Sequence, residues 1–298
     1  MAKKGTQVYE FGLDSFGDLA TKSNGARMNH AEAIRQVVKE AVLADKLGVD
    51  VIGLGEHHRE DYAISSPEMV LAAIASNTKR IKLASAVTVL SSDDPVRVFE
   101  RFATLDAVSK GRAQIILGRG SFTESFPLFG YDLQDYEALF EEKIELFTKL
   151  LKEEPLTWQG THTQSLDEAE VFPKTESGKI DTLVGVGGSP NSVVRAAAYD
   201  LPLVFAIIGG SPDRFVPYVD LYKRATEQFG HTARPFGMHS PGFVASTDTE
   251  AIDTSFPYFK EQMDRIGKTR GWTPMSREHF LNEIKHGSLY IGSPETVA

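Results

Sequence analysis

Short apolar runs recur about every thirty residues along this chain, and a helical pattern separates most of them from the next. The runs fall at residues 7–13, 49–55, 81–90, 113–118, 182–188, 203–208 and 237–245. They are rich in Val, Ile and Leu without strict alternation, as strands are when helices cover them. Strand, helix and strand at this spacing make a βαβ unit, and repeated units make a parallel sheet. The helix signals agree. Asn29 caps a pattern over 29–47 that stops at Gly48, with Ala33, Val37, Ala41 and Ala44 on one face. Pro67 and Pro95 sit in the first turns of two further helices, behind Ser66 and Asp94.

The chain has 298 residues and no linker-like stretch. A single α/β barrel takes about 250 residues, so one domain over 1–298 is expected. Two stretches exceed the minimal unit. Residues 155–181 read as a small excursion with a short strand at 156–158. Residues 246–285 carry two helical patterns and suit a lid. The chain closes on GSPETVA, which reads as a helix start. Seven strands are visible, so the last βα unit is expected to be absent.

Composition narrows the partners. A net charge of −9 repels phosphate backbones, which argues against general nucleic-acid binding. The absence of cysteine removes disulfides, thiolate metal sites and cysteine nucleophiles together. The N-terminus has no apolar signal-peptide core, and no run reaches the roughly 18 apolar residues of a membrane helix. A cytoplasmic protein is the expectation.

Ligands of parallel α/β folds sit at the C-terminal ends of the strands. The second run ends in Glu56-His57-His58. Adjacent strand residues point to opposite faces, so one histidine faces the site. Its ordinary pKa suits acid–base work; a rim residue that orders a loop is the other reading. A binuclear metal site would want His-x-His, which is missing, so no metal is expected. The fourth run enters Gly118-Arg119-Gly120-Ser121, which suits an anion or is simply a tight turn. The fifth enters Gly185-Val186-Gly187-Gly188-Ser189-Pro190-Asn191-Ser192 at a helix start. Free N–H groups, two small residues and two hydroxyls there favour a phosphate monoester; Ser189 as a plain helix cap is the alternative. Phe122, Phe126, Phe129, Tyr131 and Tyr136 are candidate walls of an apolar pocket or loop-packing hydrophobes.

Four segments carry a resemblance: GLGEHHRED, ASAVTVLSSDDPVRVFERFATLDAVSKGR, GRGSFTESFPLFGYD and VGVGGSPNSVVRAA. Their order and spacing resemble the bacterial luciferase-like, flavin-dependent monooxygenase family from about Val8 to Phe243. The resemblance implies a (β/α)8 TIM-type barrel that binds FMN, reduced by a partner reductase. It implies that reduced flavin and O2 form a C4a-hydroperoxide that oxygenates a small or medium organic substrate. It assigns the catalytic role to His57. It implies a non-proline cis peptide at Ala86–Val87 under the flavin ring. It places the flavin phosphate at Val186, Gly187, Gly188, Ser189 and Ser192, with Arg119 nearby. A homodimer through the helices after the first strands is implied too; the apolar positions Val98, Phe102 and Leu105 fit such a helix, and burial inside one subunit explains them equally well. Gly118 stands where the luciferase α-subunit has a reactive cysteine, and Gly188 where that subunit is acidic, so light emission is not expected. Some relatives transfer hydride with F420 instead. Only Arg119 and Arg195 lie near the rim, which favours FMN over that more acidic cofactor. A flavin-binding protein without turnover is the remaining alternative.

Overall fold

The computed structural model describes residues 9–298 except Ser23 and Ser121. The strand expected at 7–13 therefore begins outside the described residues, and so does the last residue of the Gly118–Ser121 turn. The chain forms two compact units, Met1–Gly185 and Val186–Ala298.

The first unit is built of βα repeats. Strand β1 (Gly12–Ser15) leads to helix α1 (His30–Leu47), then β2 (Val51–Leu54), α2 (Pro67–Ala75), β3 (Lys82–Val89), α3 (Pro95–Ser109) and β4 (Ala113–Gly118). The short helix α4 (Ser125–Phe129) and α5 (Tyr136–Leu150) follow. A hairpin of β5 (Leu156–Trp158) and β6 (Leu166–Ala169) precedes β7 (Asp181–Val186), whose Val186 opens the second unit. Strands β1 to β4 and β7 pair in parallel, in that order. The first strand lies later than expected: β1 covers Gly12–Ser15, because Gly12 to Ser15 are the residues in register with β2.

The predicted helix punctuation holds. Asn29 accepts from the Glu32 amide and Glu32 returns a bond to the Asn29 amide, a capping box that satisfies two otherwise unpaired donors. Asp94 caps α3 through the Val96 and Arg97 amides. The apolar faces of α1, α3 and α5 supply the core, with Val98, Phe99, Phe102, Ile144 and Phe147 at or below 1% exposure. Val98, Phe102 and Leu105, named above for a dimer helix, are thus filled positions of this unit's own core.

The second unit continues with α6 (Pro190–Ala198), β8 (Leu203–Ala206), α7 (Val216–Gln228), β9 (Gly237–His239) and β10 (Gly242–Val244). It ends with α8 (Asp248–Arg270), α9 (Arg277–His286), β11 (Tyr290–Gly292) and α10 (Pro294–Val297). Strand β8 pairs in parallel with β9. The run read as one strand at 237–245 is two: Ser240-Pro241 breaks it, since proline has no amide hydrogen for a ladder. Its second half, β10, pairs in parallel with β11, a strand too short and polar-flanked to be seen in the sequence. Ala251, Phe280, Leu289 and Ile291 form a small core beneath α8 and α9. Among the described residues, no helix is long and apolar enough to cross a membrane.

Candidate functional site

The ends of β2 and β3 come together. Gly53 and Gly55 make this possible: a Cβ on Gly53 would lie 2.0 Å from Asp14 Oδ1, and one on Gly55 2.5 Å from Phe16 and 3.2 Å from the Ala86 carbonyl. The Glu56 amide donates to Val87 O at 3.3 Å. The Ala86–Val87 peptide is cis, at the bond the resemblance singles out, and the β3–β4 register shifts between Ala86 and Thr88. Gly118 and Gly185 face the same valine. A Cβ on Gly118 would lie 2.5 Å from a Val87 methyl, so the position of the luciferase cysteine has no room here for a side chain unless Val87 moves.

The two adjacent histidines have different surroundings, as alternation requires. His57 is 9% exposed. It stacks on Tyr62 with centroids 4.3 Å apart, and Phe16 and Phe122 wall it at 5.2 and 5.5 Å. Burial pushes its pKa down to about 4, against the opposing pull of the Asp61 carboxylate. The ring is therefore neutral at neutral pH. Its Nδ1 has no hydrogen-bond partner among the described residues. His58 instead turns its Nε2 to Glu56 Oε1 at 2.8 Å, and Phe129 meets its ring edge-on at 5.0 Å. The other oxygen of Glu56 accepts from the Val89 amide at 2.8 Å. Arg59 lies over Phe122 at 4.4 Å and pairs with Asp61 and Glu124, which holds the aromatic wall in place.

The aromatic cluster divides by role. Phe122 belongs to the His57 wall and Phe129 to His58. Phe126 is fully buried against Tyr136, and Tyr131 stacks on the Lys143 ammonium at 3.8 Å. Arg119 lies over Tyr136 and pairs with Glu137. Phe16, Tyr62, Asp61 and the Arg59–Glu124 pair escaped the sequence reading because loop residues distant in sequence meet only in the fold. Among the described residues no group of His, Asp or Glu is arranged to hold a metal.

In the second unit, Val186 is buried and Gly187-Gly188 lead into α6. A Cβ on either glycine would meet nothing within 4 Å, and Gly188 has φ +114°, so the backbone there is open to approach. Ser189 is the N-cap of α6 by position, yet its hydroxyl makes no capping bond, so capping does not account for the serine. Ser192 is buried in the first turn. Tyr218 Oη donates to Gly188 O at 2.7 Å and steadies the glycine pair; the sequence offered no sign of it. These features fit a phosphate: open backbone, a hydroxyl that does not cap the helix and the positive end of a helix.

The family model described as luciferase-like monooxygenase matches residues 15–298. The alkanal monooxygenase alpha chain of Photorhabdus luminescens is 24% identical over 238 residues, 80% of this chain and 65% of that one. The chain thus spans just under two thirds of that relative's length. The crystal structure of monooxygenase RslO1 from Streptomyces bottropensis superposes with a TM-score of 0.80 at 20% identity, covering 97% of this chain and 86% of that one. The oxygenating constituent of 3,6-diketocamphane monooxygenase from Pseudomonas putida, a type II Baeyer-Villiger monooxygenase solved in complex with FMN, gives 0.74 at 22% identity with the same coverage. These likenesses show the fold, an α/β fold of the (β/α)8 type.

Proposed function

The chain belongs to the luciferase-like monooxygenase family, and from that premise we propose that it is an FMN-dependent monooxygenase for a small or medium organic substrate. The observation that carries the reading is His57: a buried, neutral imidazole with an unsatisfied Nδ1, set in an aromatic wall where β2 ends beside Val87. Bound reduced FMN would supply electrons to O2 and so deliver one oxygen atom to the substrate.

The chain's own residues do the rest. His57 is the catalytic residue, and its neutral ring gives or accepts one hydrogen bond at the reacting centre without introducing a charge. Phe16, Tyr62 and Phe122 keep bulk water from it, which strengthens every polar interaction there. Ala86 and Val87 lie against the ring system. Val186, Gly187, Gly188, Ser189 and Ser192 hold the phosphate through backbone amides and hydroxyls. Arg119, in the first unit, is read as a further cofactor contact. A separate reductase supplies the reduced flavin, a second copy of the chain completes a homodimer, and the protein acts in the cytoplasm. Residues 246–285 shelter the reaction. The chain is read as one functional domain, with 155–181 as an excursion from it.

His57→Ala tests the assignment. It leaves the affinity for FMN within a few-fold of the wild type, because the phosphate residues are untouched, and it changes the rate at which O2 reoxidises bound reduced flavin. Rapid mixing of the preformed complex with oxygenated buffer measures this; equal rates in variant and wild type would remove His57 from the mechanism.

A further inference from the structure

The Glu56–His58 pair is left over from the function proposed above, although its side chains are only 7% and 10% exposed. It forms a shared wall between two cavities. One is about 10 Å3, the room that a single water takes, and Glu56, His57, His58 and Ser125 are among its walls. Ser125 Oγ, like His57 Nδ1, has no partner among the described residues. The other is about 570 Å3 and polar, bounded by Glu56, His58, Ser65, Glu68, Asp93 and Arg101. His57 is closed in by three aromatic rings on its other sides. The small cavity and the Glu56–His58 pair therefore form a polar way from that ring toward the larger cavity.

We propose that Glu56 and His58 are a proton relay, which connects the water-sized cavity beside His57 with the larger polar cavity and reloads His57 from solvent. The proposal rests on His57 as the catalytic residue. A solvent proton binds the His58 ring nitrogen that faces away from Glu56. The Nε2–H bond then breaks toward Glu56 Oε1, across the 2.8 Å contact. Glu56, now the neutral acid, gives its proton to a water in the small cavity, and that water gives one of its own to one ring nitrogen of His57 as the proton on the other ring nitrogen leaves, so the ring ends neutral. Each bond to hydrogen that forms matches one that breaks, and nothing is oxidised or reduced. The reverse passage returns a proton to solvent and restores the starting tautomer of His58. Several charged groups surround the relay. Glu68 on α2, Asp93 before α3 and Arg101 on α3 interact with one another beside Glu56. Arg59 and Asp61 follow β2, and Glu124 precedes α4. The ion pairs of Arg101 with Glu68 and Asp93 leave the outer cavity with charges of both signs near His58. Glu56 and His58 are positioning residues in this scheme, since they act through His57.

The test uses the full chain without flavin. Exchange of the His57 ring N–H with water is read by NMR on 15N-histidine-labelled protein, in wild type, Glu56→Gln and His58→Ala. Glutamine keeps an acceptor for the Val89 amide but does not take up a proton. Both variants slow the exchange by about tenfold or more, as loss of an acid–base partner does. Added imidazole restores the exchange in His58→Ala, because the 570 Å3 cavity admits it. Unchanged exchange in Glu56→Gln overturns the relay. If that variant does not fold, His58→Ala decides alone: slow exchange that imidazole leaves untouched makes the pair a structural clamp and also overturns it. No flavin is present, so either result leaves the flavin reading standing, and failure to bind flavin leaves this result intact.

Discussion

His57 is isolated by its neighbours more than by its own chemistry. Burial among Phe16, Tyr62 and Phe122 withholds the water that would stabilise an imidazolium, and its pKa falls to about 4. This has a consequence for stability. An unfolded histidine takes up a proton near pH 6.5. Between 6.5 and 4 the unfolded chain therefore holds more protons than the folded one at this site. Stability at this site is full above about pH 6.5 and is lost as the pH falls toward 4. From pH 7 to pH 5 the loss is about 2 kcal/mol. His57→Phe, which keeps a ring in the same wall, lacks that component. Urea unfolding of both proteins at the two pH values measures it, and equal losses would show that the ring is not buried neutral. The sequence showed a histidine pair at a strand end and the rule of alternation. It did not show which ring is caged, because Phe16, Tyr62 and Phe122 come from three separate loops.

The segment Ser109 to Arg112, part of what made the chain recognisable, has a physical task between elements. Lys110 and Gly111 take positive φ to end α3, and Arg112 then turns back. Its guanidinium donates to the carbonyls of Ser109, Ile81, Ala75 and Thr78 and to Thr78 Oγ1, at 2.7 to 3.3 Å. One side chain so satisfies carbonyls at the ends of α2 and α3 and at the start of β3. Lysine lacks the planar fork for five acceptors. Arg112→Lys is expected to cost about 2 kcal/mol and Arg112→Leu about 3 kcal/mol or more, since buried carbonyls lose their donors. Chemical denaturation gives both values; a Lys variant as stable as the wild type would show that the fork does not matter. Element existence was legible here wherever caps and apolar periods agreed, as in α1 and α3. The apolar pattern merged β9 and β10 into one strand and missed β11. Strands of three residues bury too little for a pattern to show, and Pro241 hid a break inside what read as one run.

For the molecule as a whole, the flavin reading names features within each unit by itself: His57 and Val87 in one, the open glycines before α6 in the other. The parallel α/β class was legible because βα spacing is a property of the entire chain, and the (β/α)8 barrel followed from the resemblance. The phosphate stretch was legible because small residues and hydroxyls at a helix start carry their own chemistry. Tyr218, thirty residues from Gly188, was not. If 246–285 acts as a lid, its amides gain protection when flavin binds. Hydrogen exchange of α8 and α9 with and without FMN reads this, and unaltered exchange there would remove the lid role. The central claim is that this protein is built to hold FMN. Titration with FMN and with reduced FMN under anaerobic conditions, followed by fluorescence quenching, tests it most directly. Micromolar binding of at least one form, tighter than that of F420, is the predicted result. Failure of both FMN forms to bind below millimolar concentration would contradict it.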